Sequence, residues 1–426
     1  RPRTSSSPRA RSPTPLSDLY SAARALAVLV APFDFQGKYQ RSLPPPDECA
    51  VFQANDALYR FLVKATRAKP EERFQSAAEM SEQLVGVLRG IVGESGELGR
   101  IESTLFEPDG DRTIESTKGA HPLDELPKLK VDRDDSAANI ILAASALPDA
   151  ERRLTLFERA KKTHASSLEL TLRIIDELIT LGLFDRARDG LEVLQASHPA
   201  EWRLAWYRGR ALLAQGKTTD TLAVFEAIAE EFPGELAPKQ ALARTHETYA
   251  LAAVGRAAAL DRAIDYYDSV SKADSSFTSA ALGLARCLDH KGERAAAADA
   301  YRRVPSTSNR FALSRMELAR LLVRGAPTAN DLLQASGALE AVEGIVEGIA
   351  AHELRATLLA VAATFAAASP APLAADLKIL GVPFTEVKLR LAAEAELRTC
   401  ARYAESSDAR IGFVDWANAV RPLTLT

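Results

Sequence analysis

A spacing of 34 residues recurs through the middle of this 426-residue sequence and restricts what it can fold into more than any single motif. Gly182 and Gly216 are one period apart, as are Pro199 and Pro233. Further on, Ala263 and Ala297, Tyr267 and Tyr301, and Val270 and Val304 keep the same spacing, with Gly292 between them. Each period reads as a pair of helices. The glycine closes the first helix in the left-handed conformation, a small residue such as Ala187 lets the second approach closely, and the proline ends the unit. A unit of this size cannot cover its own apolar face, so neighbouring units must stack.

Composition agrees with a helical stack. The chain is 47% hydrophobic but only 6% aromatic, with alanine prominent in its later part, which favours close-packed helices over strands built from aromatic and β-branched residues. The expected fold class is therefore all-α. Lys and Arg total 53 against 57 Asp and Glu, so nothing in the charge balance asks for nucleic acid or an anionic membrane. Cys49, Cys287 and Cys400 lie far apart with no metal-ligand spacing and read as reduced core thiols of a cytoplasmic protein. The longest apolar run, Ala356 to Ala368, is too short and too alanine-rich to predict a membrane span.

The repeat pattern resembles the tetratricopeptide repeat at its turn glycines, at Gly209, and at the Ala263–Tyr267 and Ala297–Tyr301 pairs. It departs at Thr221, where alanine is usual, and at an eight-residue insertion over Leu251 to Ala258. Helices expected over 136–146 and 149–164 precede it, and others over 311–323, 330–347, 352–367, 386–404 and 408–420 follow it. Together they predict one right-handed superhelix from 136 to 426.

Ahead of the repeats, residues 1–15 hold four arginines, no acid and almost nothing apolar, the composition of a disordered tail. A start at Arg1 with no signal-peptide layout reads as a cut N-terminus. Residues 16–92 predict three helices. The first is apolar nearly all round and is N-capped by Ser17 or Asp18; the others run from Asn55 to Thr66 and from Ala77 to Ile91. Residues 93–135 are rich in Gly, Pro and charge, as in a linker or a wrapping segment.

The turn between those last two helices, Lys69-Pro70-Glu71-Glu72-Arg73-Phe74, followed by Ser76-Ala77-Ala78-Glu79-Met80, resembles the last two helices of a protein-kinase large lobe. Ser17-Asp18-Leu19-Tyr20-Ser21 is similar to the start of that lobe's central helix, with Ala23 where a glycine is usual. The resemblance implies that Asp18 holds the catalytic loop and that Arg73 pairs with the Glu of an Ala-Pro-Glu motif.

A kinase-lobe end followed by tetratricopeptide repeats resembles the actinobacterial protein kinase G family. Trp202-Arg203-Leu204, Phe232 to Lys239, Leu380 to Thr385 and Val414 to Asn418 look like that family's repeat domain and C-terminus. The likeness implies a serine/threonine kinase that uses ATP and Mg²⁺ when complete. Phosphoryl transfer needs a Gly-rich loop, a strand lysine, an HRD loop and a DFG metal ligand, and this sequence has none of these motifs. Asp34-Phe35-Gln36-Gly37 has one residue too many and follows the central helix, the wrong order for a DFG motif. No catalytic, cofactor or metal residue is assigned.

The expected role is a C-terminal kinase fragment acting as a scaffold, with substrate docking and possible homodimerisation through the repeats. The alternative is a free-standing adaptor that binds acidic peptides. In repeat register, Arg203, Trp206 and Arg210, then Gln240 and Arg244, then Arg286 fall on the concave face. An arginine stripe with one tryptophan suits a peptide carboxylate and an apolar anchor. The plainer reading makes Trp206 repeat core and pairs the arginines with glutamates of adjacent helices. The first 15 residues contain no Glu, so Arg73 is expected to lack its carboxylate, and a buried unpaired cation costs ~3–5 kcal/mol. Residues 17–92 are accordingly expected to expose Arg73 or to pack loosely, with the repeats folding independently.

Overall fold

The computed structural model describes residues 14–93, 102–108, 122–368 and 376–422; the expected tail over residues 1–15 lies outside them except for its last two residues. The regular elements of the described chain are helices apart from one hairpin of two-residue strands and one isolated bridge. It divides into two compact units, one formed by the described residues up to 108 with 122–274 and the other by 275–422.

In the first unit the repeat helices are α7 (Leu168–Thr180), α8 (Phe184–Ser197), α9 (Arg203–Ala214), α10 (Thr218–Glu231), α11 (Leu236–Leu251) and α12 (Ala257–Ala273). Gly182 and Gly216 turn at φ of 72° and 69°. The N–H groups of the residues after them, Leu183 and Lys217, reach back to Leu178 O (2.8 Å) and Leu212 O (3.0 Å). These bonds satisfy carbonyls that a helix end leaves open. A Cβ on Gly209 would lie 2.6 Å from the ring of Phe225, so that glycine sets the spacing of α9 and α10. Thr221, the departure from alanine, is buried and returns its hydroxyl to Lys217 O at 2.8 Å, which removes the cost of a buried polar group. The insertion lengthens α11 and α12 around Gly255.

Ahead of the repeats stand α1 (Pro15–Val30), α2 (Ala50–Ala54), α3 (Asp56–Ala65), α4 (Ala77–Val92), α5 (Ala138–Ala144) and α6 (Ala150–Ala160). Helix α1 begins before the expected Ser17 or Asp18 cap, at Pro15, where a fixed φ and a missing N–H suit a first helical residue. The cap of α4 is Ser76, which accepts from Glu79 N at 3.0 Å. Phe52, Phe61, Leu62 and Phe74 are fully buried in one apolar cluster with Ala23 and Ala27 of α1.

Loose packing of residues 17–92 is therefore not observed. Arg73 is half-buried, with Nε donating to Arg67 O at 2.6 Å and Nη2 to Ala68 O at 3.0 Å, and its guanidinium lies 4.6 Å from the centre of the Tyr20 ring. Backbone carbonyls and an aromatic face take the place of a carboxylate, so the cation is not stranded.

This kinase-like segment also packs onto the repeats within the same unit. Lys64 is 1% exposed, and its ammonium lies 3.0 Å from Glu79, 2.8 Å from the Glu231 carboxylate and 2.9 Å from Glu231 O. The side chain of Gln83 accepts from Gly234 N at 2.9 Å. A Cβ on Gly86 would lie 2.3 Å from Gly234 O; only glycine at both positions allows the two backbones to come this close.

The second unit contains α13 (Thr278–Lys291), α14 (Arg294–Arg302), α15 (Phe311–Val323), α16 (Ala329–Glu340), α17 (Ile349–Ala368), α18 (Glu386–Tyr403) and α19 (Ser407–Val420). Helix α16 stops seven residues short of the expected 347, and left-handed Gly344 and Gly348 follow it. A hairpin pairs β1 (Lys378–Ile379) with β2 (Val382–Pro383). Its turn residues Leu380 and Gly381 both have positive φ, the mark of a type I′ turn. Helix α17 extends well ahead of the Ala356–Ala368 run and is long and apolar enough to cross a bilayer by length and composition, a correction to the sequence reading. Its Leu354, Leu358, Leu359 and Ala362 are buried in the unit, where it packs on α18. Cys49, Cys287 and Cys400 are buried thiols, and burial pushes Cys400 up to about 11.

Candidate functional site

The first helix of each repeat pair carries the side chains assigned to a binding face, and α9 shows their surroundings. Arg203 sits at its start with Nε and Nη2 each 2.8 Å from the Glu201 carboxylate, and its third guanidinium nitrogen contacts Glu169. Burial alone would raise the Glu201 carboxyl, but hydrogen bonds from the Arg203 side chain and backbone N–H hold it below its ordinary range. One turn on, Trp206 has no exposed surface. Arg210 is buried beside Asp176, 2.8 Å away.

Both arginine pairs follow the repeat. Glu169 and Arg203 are 34 residues apart, and so are Asp176 and Arg210. Equivalent positions of adjacent α7 and α9 therefore carry opposite charge, a regularity that names the partners the plainer sequence reading left unspecified. On α11, Arg244 lies 2.6 Å from Glu247, which also accepts from the Tyr267 hydroxyl at 2.6 Å.

Of the two readings of these residues the plainer one describes the structure and the open arginine–tryptophan groove is corrected: Trp206, Arg210 and Gln240 are interior, and Arg203 and Arg244 are largely buried in ion pairs. The covering layer comes from residues 102–108 and 122–131. The Phe106 ring lies 4.9 Å from Trp206 and 5.9 Å from Trp202, between centres. Glu107 N donates to Lys128 O at 2.8 Å and Lys130 N to Leu105 O at 2.9 Å, joining the two pieces as a short antiparallel bridge. Arg173 of α7 donates to Leu129 O, and Gln240 Nε2 reaches Glu125 O at 3.4 Å. Of the two readings left open for 93–135, the described residues wrap; Phe106, Leu123, Leu126 and Leu129 are buried in the repeat core. The clue was leucine every third residue from 123 to 129 in an otherwise polar stretch.

Arg286 belongs to the second unit. It lies half-buried on α13, where burial raises the Tyr301 hydroxyl and the Arg286 charge opposes that rise. Asp18 is exposed in the first turn of α1. Asp34 accepts from Gly37 N and Lys38 N at 2.8 and 3.0 Å, a loop-closing role. Among the described residues no cluster of three or more His, Cys, Asp or Glu is placed to hold a metal.

Residues 94–424 match the family described as protein kinase G tetratricopeptide repeat. The chain belongs to that family. It is 32% identical to the serine/threonine-protein kinase PknG of Mycolicibacterium smegmatis over 97% of its own length, and 32% identical to PknG of Mycobacterium leprae over 96%. It spans 56% of the length of each of these relatives. Similar solved structures include yeast Tom70, at 12% identity over 95% of this chain and 86% of that one with a TM-score of 0.37. Another is the type IV pilus biogenesis factor PilW, at 16% identity over 57% and 96% with a TM-score of 0.37. Family membership thus rests on the sequence matches, which take in both the kinase-like helices and the repeats.

Proposed function

We propose that this chain joins the end of a serine/threonine kinase lobe to a scaffold that docks protein substrates in the cytoplasm and supports dimerisation. The observation that carries the reading is the junction: α3 and α4, with their kinase-like turn, pack on α10 to α12 through Lys64 and the Gly86–Gly234 approach. A scaffold fixed rigidly to a lobe holds a docked protein at a defined distance from the phosphoryl-transfer site, which raises its effective concentration there. The sequence carries none of the motifs that phosphoryl transfer from ATP and Mg²⁺ requires, so the chain alone should transfer no phosphate.

The purified chain is tested with ATP, Mg²⁺ and a generic serine/threonine peptide, where no turnover is expected. Added in excess to full-length PknG of Mycolicibacterium smegmatis, it should lower phosphorylation of proteins in a lysate and leave phosphorylation of the short peptide unchanged. Turnover by the chain alone, or equal inhibition of both substrates, overturns the reading.

A further inference from the structure

We propose that the inner face of α7, α9 and α11 is a peptide groove occupied by the chain's own residues 102–108, and that its external ligand is an extended segment carrying an aromatic residue next to an acid. The proposal rests on the docking reading above and names the site and the ligand chemistry.

The contacts that residues 102–108 make are those of a bound peptide. One side chain, Phe106, is buried, and it fills an aromatic cradle formed by Trp202 and Trp206. The backbone on either side of it pairs with 128–130 by two hydrogen bonds, the pattern of strand addition. Glu107, the acid beside the aromatic, lies 3.9 Å from Arg173. That separation contrasts with pairs inside the repeats, Arg203–Glu201 and Arg210–Asp176, each at 2.8 Å. The Glu107 charge is thus held less closely than those pairs, while Lys130 Nζ donates to Ser103 O at 2.5 Å at the segment's other end.

The other half of the covering layer is anchored differently. Residues 122–131 bury Leu123, Leu126 and Leu129 and make the carbonyl contacts to Arg173 and Gln240. That half is the fixed wall of the groove; 102–108, with a single buried anchor, is the displaceable occupant. An open cavity of about 590 Å³ runs beside it, bounded by Leu105, Lys130, His198, Trp202 and Arg203. A competing segment enters there, pairs first with 128–130 and then takes the Phe106 position. The same two backbone bonds, the aromatic cradle and the Arg173 charge select an aromatic–acid pair in extended conformation.

The test uses the full chain with Phe106→Ala and, as probe, an acetylated peptide of the sequence of residues 102–108, Glu-Ser-Thr-Leu-Phe-Glu-Pro. The peptide should bind the variant at least ~10-fold more tightly than the parent chain and shift tryptophan emission to the blue. A control peptide with alanine in place of its phenylalanine should bind neither. Equal binding to both chains, or no binding to a variant that melts cooperatively, overturns the proposal.

Should the variant fail to fold, the parent chain is titrated with the same peptide while hydrogen exchange is followed. Faster exchange at 103–107 with 128–130 still protected supports displacement, and unchanged exchange at 103–107 at saturating peptide refutes it. If the peptide fails but the chain still lowers protein phosphorylation by the full-length relative, docking stands and this groove falls.

Discussion

The two ends of the kinase-like segment are finished to different degrees. Helix α4 is held along one face, where Met80, Gln83, Val87 and Arg89 are buried, Gly86 abuts the backbone of Gly234 and a Cβ on Gly93 would lie 2.7 Å from Ala273 Cα; its other face exposes Val85, Leu88 and Ile91. Helix α1, of equal length, buries only Ala23 and Ala27, and Leu29 is 83% exposed. Both helices are apolar in composition, so the difference lies in what surrounds them. The lesson is that α4 takes part of its burial from the repeats, whereas α1 is buried against α3 within the kinase-like segment. Met80 and Val87 of α4 join the apolar cluster of the kinase-like segment while its Gly86 and Gly93 meet the repeat backbone, whereas α1 buries its two alanines in that same cluster and leaves Leu29 exposed.

Substitutions at the two ends separate these environments. The largest effect is expected at Lys64. Lys64→Ala removes a buried ammonium shared by Glu79 and Glu231, which are themselves 33% and 43% exposed. The partners' exposure lowers the cost below that of a fully buried pair, to ~2–3 kcal/mol, read as a drop in the urea midpoint.

Lys239 on α11 should act in the opposite direction. Burial holds its amine down to about 8 from 10.5. Below pH 8 the folded chain carries a half-buried charge, so Lys239→Met should stabilise it by ~1–3 kcal/mol at pH 7. Between pH 8 and 10.5 the unfolded chain still binds that proton and the folded chain does not. The parent therefore gains stability with rising pH, and the advantage of the variant should shrink across that window. A constant difference from pH 7 to 10.5 would refute this assignment. Leu29→Ser, on the open face, should change stability by less than ~0.5 kcal/mol; a loss of the size seen at Lys64 would mean that α1 is covered in solution.

The helical framework was legible because the 34-residue period acts directly on packing. Turn glycines need positive φ and tight crossings need small residues, and Gly182, Gly216 and Gly209 answer those needs. The binding face was left between two readings for an equally physical reason. Repeat register places a side chain on the inner face but does not show what covers that face. The cover, around Phe106 and Leu129, comes from a segment without periodicity. Arg203 and Arg210 find acids one period earlier, a pairing visible only when two repeats are compared position by position. The expectation of a loose kinase-like segment failed because Arg73 was matched only against carboxylates. Carbonyls of Arg67 and Ala68 and the ring of Tyr20 lie within a few residues of it or on the adjacent α1.

The central claim is that α4 and the repeats form one cooperative unit, and native-state hydrogen exchange on the intact chain tests it most directly. Amides of 80–92 should open with the same free energy, and the same denaturant dependence, as those of 206–231, while amides near the start of α1 open more readily. Exchange of 80–92 at rates close to those of an unfolded chain, with 206–231 still protected, would contradict the account.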